Sequence, residues 1–358
     1  MAYSDNEASA MPEDLTLSPV TADPVFSAFE LPLRRTFFPL GYPLALETNS
    51  RDVMLAAEEG WGASERMFNQ DPVRICLGVA EGDSLGVAEG DSGLQAAAPV
   101  IRAREHLMSI IADPANFMLC DFHRGYAFGW VTRSTAANHA LLHYQFLTAG
   151  GTALAQQRAF APLHGALVMR QGTGVMFCGD SCAGKSTLAY ACARAGWTYV
   201  SDDGAFLVRG RNDRYAIGDR HSIRFRTDAP ALFPELAGRA TKVRPNGKTA
   251  IEVPTRDLPI ATASGCIVDH VVFLDREHSG PASVGRYSKG RALEYWAQYA
   301  VLGSGEARAA QRRCHELLLS ARLWKMQYSQ LDDAVSRLEQ LVDQEASSPG
   351  VHGYHATR

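Results

Sequence analysis

The sequence predicts an α/β protein: a phosphate-loop (P-loop) domain, a smaller α/β domain before it, and a helical C-terminal extension after it. Three observations carry this expectation. Residues 179–186, Gly-Asp-Ser-Cys-Ala-Gly-Lys-Ser, fit the pattern G-x-x-x-x-G-K-[ST] without a mismatch. The apolar run 174–178 suits a buried strand, and 186–195 reads as a helix stopped by Gly196. A further strand, 198–201, leads into Asp202-Asp203, placing two carboxylates where open parallel sheets bind ligands.

Bulk properties bound the rest. At 358 residues the chain exceeds one typical domain. The expected divisions are a flexible tail over 1–28, an N-terminal α/β domain of unassigned role over 29–150, the P-loop domain with its helical end over 151–345, and a frayed tail over 346–358. A hydrophobic content of 46% with 21% charged residues is that of a soluble globular protein. The net charge of −4 argues against nucleic acid as a partner. No run approaches the ~20 apolar residues of a membrane span, and residues 1–7 lack a signal-peptide layout, so a cytoplasmic protein is expected. A homo-oligomer is compatible with all of this. The seven cysteines, at 76, 120, 178, 182, 192, 266 and 314, are odd in number and scattered, as reduced and mostly buried thiols would be.

Along the chain, strands are expected at 36–40 and 44–48 around a 41–43 turn, followed by a helix over 50–59 with Ser50 as its N-cap. Further strands are expected at 73–77, 117–120 and 127–131. Residues 77–84, Leu-Gly-Val-Ala-Glu-Gly-Asp-Ser, recur at once as 85–92. Two copies are too few for a solenoid and read as a duplication in a loop. A helix over 135–149 should end near Gly150-Gly151, with His139 and His143 as surface or packing residues. Strands 166–170 and 175–178 form a hairpin around 171–174 that returns His164 towards the phosphate loop. Residues 290–344 read as largely helical, with an apolar stripe at Leu331, Ala334, Val335, Leu338 and Leu341.

The chemistry concentrates around the loop. Gly179 and Gly184 let the backbone curl so that the amides of 179–187 (Gly179, Asp180, Ser181, Cys182, Ala183, Gly184, Lys185, Ser186 and Thr187) can face phosphate oxygens at a helix N-terminus. Lys185 supplies a charge for the β- and γ-phosphates, and Ser186 a hydroxyl for Mg²⁺. Of Asp202 and Asp203, one can hold the metal and the other can accept a proton from an attacking hydroxyl; the spacing does not say which. His164, beside the phosphates, is either structural or a proton-handling group. Arg224 and Lys248 are the cations to examine in the clusters 221–226 and 242–248.

This ordered set resembles the catalytic domain of HPr kinase/phosphorylase, a bacterial protein-serine kinase that uses a P-loop. The resemblance rests on His164-Gly165, the loop 179–186, Asp202-Asp203 and the later Gly247, Lys248, Ile251 and Glu252, and covers about residues 160–280, roughly a third of the chain. It implies a kinase using Mg²⁺-ATP on a Ser or Thr hydroxyl of a peptide or small protein. Lys185 and the loop amides would hold phosphates, Asp202 would be the base, and His164 would support either the phosphate charge or Asp202; the roles of Asp202 and Asp203 are exchangeable. Ser186, Asp203 and Glu252 would be the metal-side residues. The chain departs from the family pattern at Cys182-Ala183, at Thr187, and after Glu252, where Val253-Pro254-Thr255-Arg256 replaces the Arg-Gly-x-Gly associated with phosphorylase activity. The expectation is a diverged kinase without the reverse reaction. A small-molecule kinase and a nucleotide-binding sensor without transfer activity are the alternatives.

Overall fold

The computed structural model describes residues 30–80, 99–243, 247, 249–276, 279–299, 302–303 and 305–346. The expected N-terminal tail, most of the tandem repeat (with Asp83 and Asp91), Arg244, Lys248 and the residues from 347 onward lie outside the described residues. The fold is mixed α/β with several sheets.

The first sheet has seven strands: β1 (Leu33–Phe37), β2 (Leu44–Thr48), β3 (Val73–Val79), β4 (Val100–Arg104), β5 (Leu107–Asp113), β6 (Asn116–Asp121) and β7 (Tyr126–Val131), in the order β1-β2-β3-β7-β6-β5-β4. Strand β1 stops earlier than the sequence predicts because Pro39, which has no N–H to donate, opens a tight turn over Pro39–Gly41. Burial alternates along β6 and β7, the mark of a sheet packed on one face. That face is covered by α1 (Arg51–Trp61) and by a long helical run: α2 (Arg133–Ala137), α3 (His139–Leu142), a π-helical stretch (His143–Thr148) and α4 (Ala149–Arg158).

The helix expected to end at Gly150-Gly151 therefore continues to Arg158. Both glycines are buried. A Cβ at Gly150 would lie 2.5 Å from Met118 Sδ, and one at Gly151 would lie 2.8 Å from Leu44 Cδ1. They are close-approach residues that seat α4 on the sheet, and the packing outweighs the ~1 kcal/mol cost of a helical glycine.

The remaining strands are β8 (Phe160–His164), β9 (Ala166–Arg170), β10 (Thr173–Cys178), β11 (Thr198–Ser201), β12 (Gly204–Val208), β13 (Tyr215–Gly218), β14 (Ser222–Phe225), β15 (Lys242–Val243), β16 (Thr249–Pro254), β17 (Ala261–Thr262), β18 (Gly265–Arg276), β19 (Ser283–Arg286) and β20 (Arg322–Tyr328). Strands β14, β16 and β15 make a small antiparallel sheet, and the other ten form one larger sheet. At its centre the 12-residue β18 pairs in parallel with both β10 and β20, while its first residues pair antiparallel with β13.

This centre is covered on both faces. Val175 and Phe177 of β10 pack with α5 (Lys185–Arg194), α8 (Leu331–Ala346) and the small sheet; Met176 and Cys178 pack with α6 (Lys289–Ala297) and α7 (Gly305–Leu318). Two-sided burial explains why 174–178 is continuously apolar. Full burial of Phe177 contributes on the order of 1.5–3 kcal/mol. The stripe on α8 is core, with Ala334 and Leu338 fully buried. The C-terminal region is less helical than expected, because β20 interrupts it. Its Trp324 indole donates to Nδ1 of the buried His270 on β18 at 3.0 Å. Among the described residues no helix is long and apolar enough to cross a membrane.

Gly174 lies where the β10–β18 register shifts, and a Cβ there would overlap the Ile267 carbonyl oxygen. Gly174→Ala is expected to lower stability in urea unfolding by about 2–3 kcal/mol. Gly285→Ala, at a position with open space around it, should stay within about 0.5 kcal/mol of the parent.

Candidate functional site

The site is built where β10 turns into α5. Gly179 (φ 149°) and Gly184 (φ 95°) hold backbone that side chains rarely adopt, and a Cβ on Gly184 would also strike the Tyr328 hydroxyl. Between them Cys182 is left-handed as well, at φ 73°. A non-glycine residue there costs roughly 1–2 kcal/mol. Part of that is offset by Arg226, whose Nη1 donates to the Cys182 Sγ at 3.1 Å. The strain at Cys182 thus has a local compensation, from a residue that directly follows β14 of the small sheet.

Lys185 opens α5 and folds back under the loop. Its Nζ donates to the carbonyls of Gly179 (2.7 Å) and Asp180 (3.1 Å), and only 8% of the residue is exposed. Burial lowers its pKa, and the Asp203 carboxylate pushes the other way. An ammonium held by carbonyl dipoles, below amides opening a helix, is suited to an incoming anion. Residues 180–182 are exposed at the loop's outer edge.

Asp202, Asp203 and His164 meet this loop at the end of the sheet. Ser186 donates its hydroxyl to the Asp202 carbonyl at 3.3 Å. Asp202 follows β11 and is 6% exposed, with Oδ2 accepting the Arg224 backbone N–H at 3.0 Å. Burial raises its pKa to about 6 against the opposing pull of Arg224. Asp203 is half exposed, and its Oδ1 lies 3.5 Å from Nδ1 of His164. His164 ends β8, which pairs with β12 so that His164 stands opposite Gly204. Burial and the nearby Lys185 lower the pKa of His164, and its ring stacks on Tyr299 at 4.7 Å.

Lys185, Ser186, Asp202, Asp203 and His164 are thus gathered at one corner, beside the first turn that carries Thr187. Glu252 is not in direct contact with them. It lies on β16, where Oε1 receives the Arg224 Nε at 3.3 Å. Among the described residues no group of three or more His, Cys, Asp or Glu side chains could hold a metal. Ser186 and Asp203 each offer an oxygen donor, and Mg²⁺ is commonly held by one or two such groups together with substrate phosphate oxygens and water.

Sequence reasoning missed the residues that brace the loop from afar. Tyr295 of α6 accepts the Gly179 N–H at 3.0 Å, and its own proton faces the carbonyls of Gly179 (2.9 Å) and His164 (3.2 Å). Tyr328 of β20 donates to the Ala183 carbonyl at 3.1 Å. Neither carries a local signal, since each lies more than a hundred residues from its partner.

Neither a protein-family model nor a curated protein matches the chain. Among solved structures, the HPr(Ser) kinase/phosphatase from Coxiella burnetii aligns over 51% of this chain and 98% of that one, at 15% identity and a TM-score of 0.27. The likeness is distant.

The Asp202 carboxyl has a consequence for stability. Its folded pKa, about 6, lies above its ordinary 3.8. The folded state therefore binds the proton more tightly, and the stability this brings is present below pH 3.8 and lost as the pH rises through 6. Asp202→Asn, which keeps an acceptor for the Arg224 N–H, is expected to raise stability at pH 8 by on the order of 2–3 kcal/mol. Denaturant unfolding at pH 8 and pH 3.5 should show that gain at the higher pH only.

Proposed function

We propose that this chain is an ATP- and Mg²⁺-dependent phosphotransferase acting on a hydroxyl group, and that the acceptor is a Ser or Thr of a peptide or small protein. The observation that carries the reading is that the residue whose backbone carbonyl accepts the Ser186 hydroxyl of the phosphate-loop motif, Asp202, also carries a buried, proton-avid carboxyl. The choice of a peptide or protein acceptor rests on the resemblance of His164, the 179–186 motif and Asp202-Asp203 to the HPr kinase family. A carboxyl with a pKa near 6 is ionised at neutral pH yet close enough to the operating pH to accept a proton efficiently.

ATP supplies the phosphoryl group. The chain's own residues have divisible work. The 179–187 amides and Lys185 bind and orient the phosphates. Ser186 and Asp203 hold the metal side, while Asp202 takes the acceptor proton. His164, kept neutral by burial and by Lys185, orients Asp203 and leaves the positive charge of the site to Lys185. Only the forward reaction is proposed, since Glu252 is followed by Val-Pro-Thr-Arg and is tied up with Arg224.

Lys185→Met should weaken ATP binding by roughly tenfold or more in titration with a fluorescent ATP analogue. Asp202→Asn should leave that affinity within about threefold while cutting phosphate transfer by about 10²–10⁴. Labelled ATP incubated with a cell lysate, followed by mass spectrometry of the labelled species, reads the acceptor. Label on a protein or peptide supports the reading, label on a metabolite moves the acceptor class, and no label despite tight ATP binding overturns it. Transfer by the parent should rise with pH through about 6, as Asp202 ionises.

A further inference from the structure

A cavity of about 290 Å³ lies between the helices of the first sheet and the Asp202 end of β11. Trp61 and Met67 line it from the first layer, Phe206 and Ile217 from the second, and Asp202 and Asp203 where it meets the phosphate-loop corner. Asp203, whose carboxylate also acts on Lys185, and Asp202, whose backbone carbonyl holds Ser186, thus join the cavity to the loop, the position of residues that mediate between two reactants. Its volume is at the lower end for ligand pockets. Such a space admits a single small group and not a folded surface.

The lining also has a chemical preference. Ser201, 1% exposed, lines the cavity with a hydroxyl that has no partner among the described residues. Of the cationic lining residues, Arg220 is paired across the layers with Glu65 at 3.4 Å, and Arg224 with Glu252 at 3.3 Å. His143 is neutral, its pKa pulled to about 4 by burial. Asp202, Asp203 and Asp219 add three further carboxylates. An anion entering here meets like charge without a free arginine to receive it.

We infer that this cavity is the acceptor pocket, and that it takes an uncharged or cationic hydroxyl-bearing group, with the first-sheet layer supplying one wall. The inference rests on the phosphotransferase reading above. The acceptor oxygen forms a new bond to the γ-phosphorus as its proton passes to the Asp202 carboxylate. The bond between that phosphorus and the bridging oxygen breaks, and ADP leaves with the electron pair. The same chemistry could come from a serine side chain or from a free amino alcohol or polyol.

Matched probes separate charge and source: N-acetylserinamide against N-acetylserine, and serinol and glycerol against glycerate, each with labelled ATP. Neutral or cationic members should be phosphorylated at least about tenfold faster than their anionic counterparts. Ser64→Trp, on the loop after α1, and Thr152→Phe, on α4, fill the cavity from the first-layer side without touching the phosphate loop. Each should raise the acceptor KM by roughly tenfold or more, with ATP affinity and melting temperature close to the parent's. Unchanged acceptor kinetics in both filled variants, or a preference for the anionic probes, overturns the pocket. Lysate labelling with no transfer to any neutral or cationic probe also overturns it, while leaving the phosphotransferase reading intact. Failure of both transfer assays sinks the two together.

Discussion

The parallel pairing of β10 with β18 is the constraint on which the rest depends. β18 joins otherwise separate pieces. Its first residues hold β13, and through β13 and β12 the strand that carries His164; its later residues hold β10 and β20. The phosphate-loop motif emerges from β10, and Tyr328 reaches the motif from the end of β20. A shift of one residue in this pairing would turn Phe177 and Met176 to the opposite covering layers. It would also draw the start of the loop away from Tyr295. The bulge at Gly174 fixes the register on that side.

Within this frame the site holds two charges that water would rather keep. Lys185 and Asp202 are both buried, and each is satisfied mainly by backbone: Lys185 by two loop carbonyls, Asp202 by an amide of the small sheet. Backbone partners leave an ion in place without neutralising it. That keeps both groups available to a ligand, and the cost of holding them appears as the opposed pKa shifts of the pair. The arrangement trades stability for readiness, as functional sites commonly do.

The local parts of this site were legible in the sequence. The 179–186 motif is contiguous, so each residue's conformation is set by near neighbours, and Asp202-Asp203 follow a strand that its own four residues identify. His164 was legible because a hairpin is a local object. The continuation of the helix through Gly150-Gly151 was not, since the reason lies in Met118 and Leu44 on other strands. β20 was hidden for a similar cause. Its residues Arg322–Tyr328 mix charged and apolar types, and only pairing with β18 and β19 makes them a strand. The bracing by Tyr295, Tyr328 and Arg226 belongs to the same class of long-range contacts.

All seven cysteines carry free thiols, and six of them are buried, with Cys120, Cys178 and Cys266 each pushed up to about 12 by burial. Cys182 alone is exposed, and it stands in the middle of the phosphate-loop motif. Towards an alkylating dye the folded chain is therefore effectively a one-thiol protein. A fluorophore attached there needs no engineered residue, and it would sit within a few bonds of the loop backbone between Gly179 and Gly184.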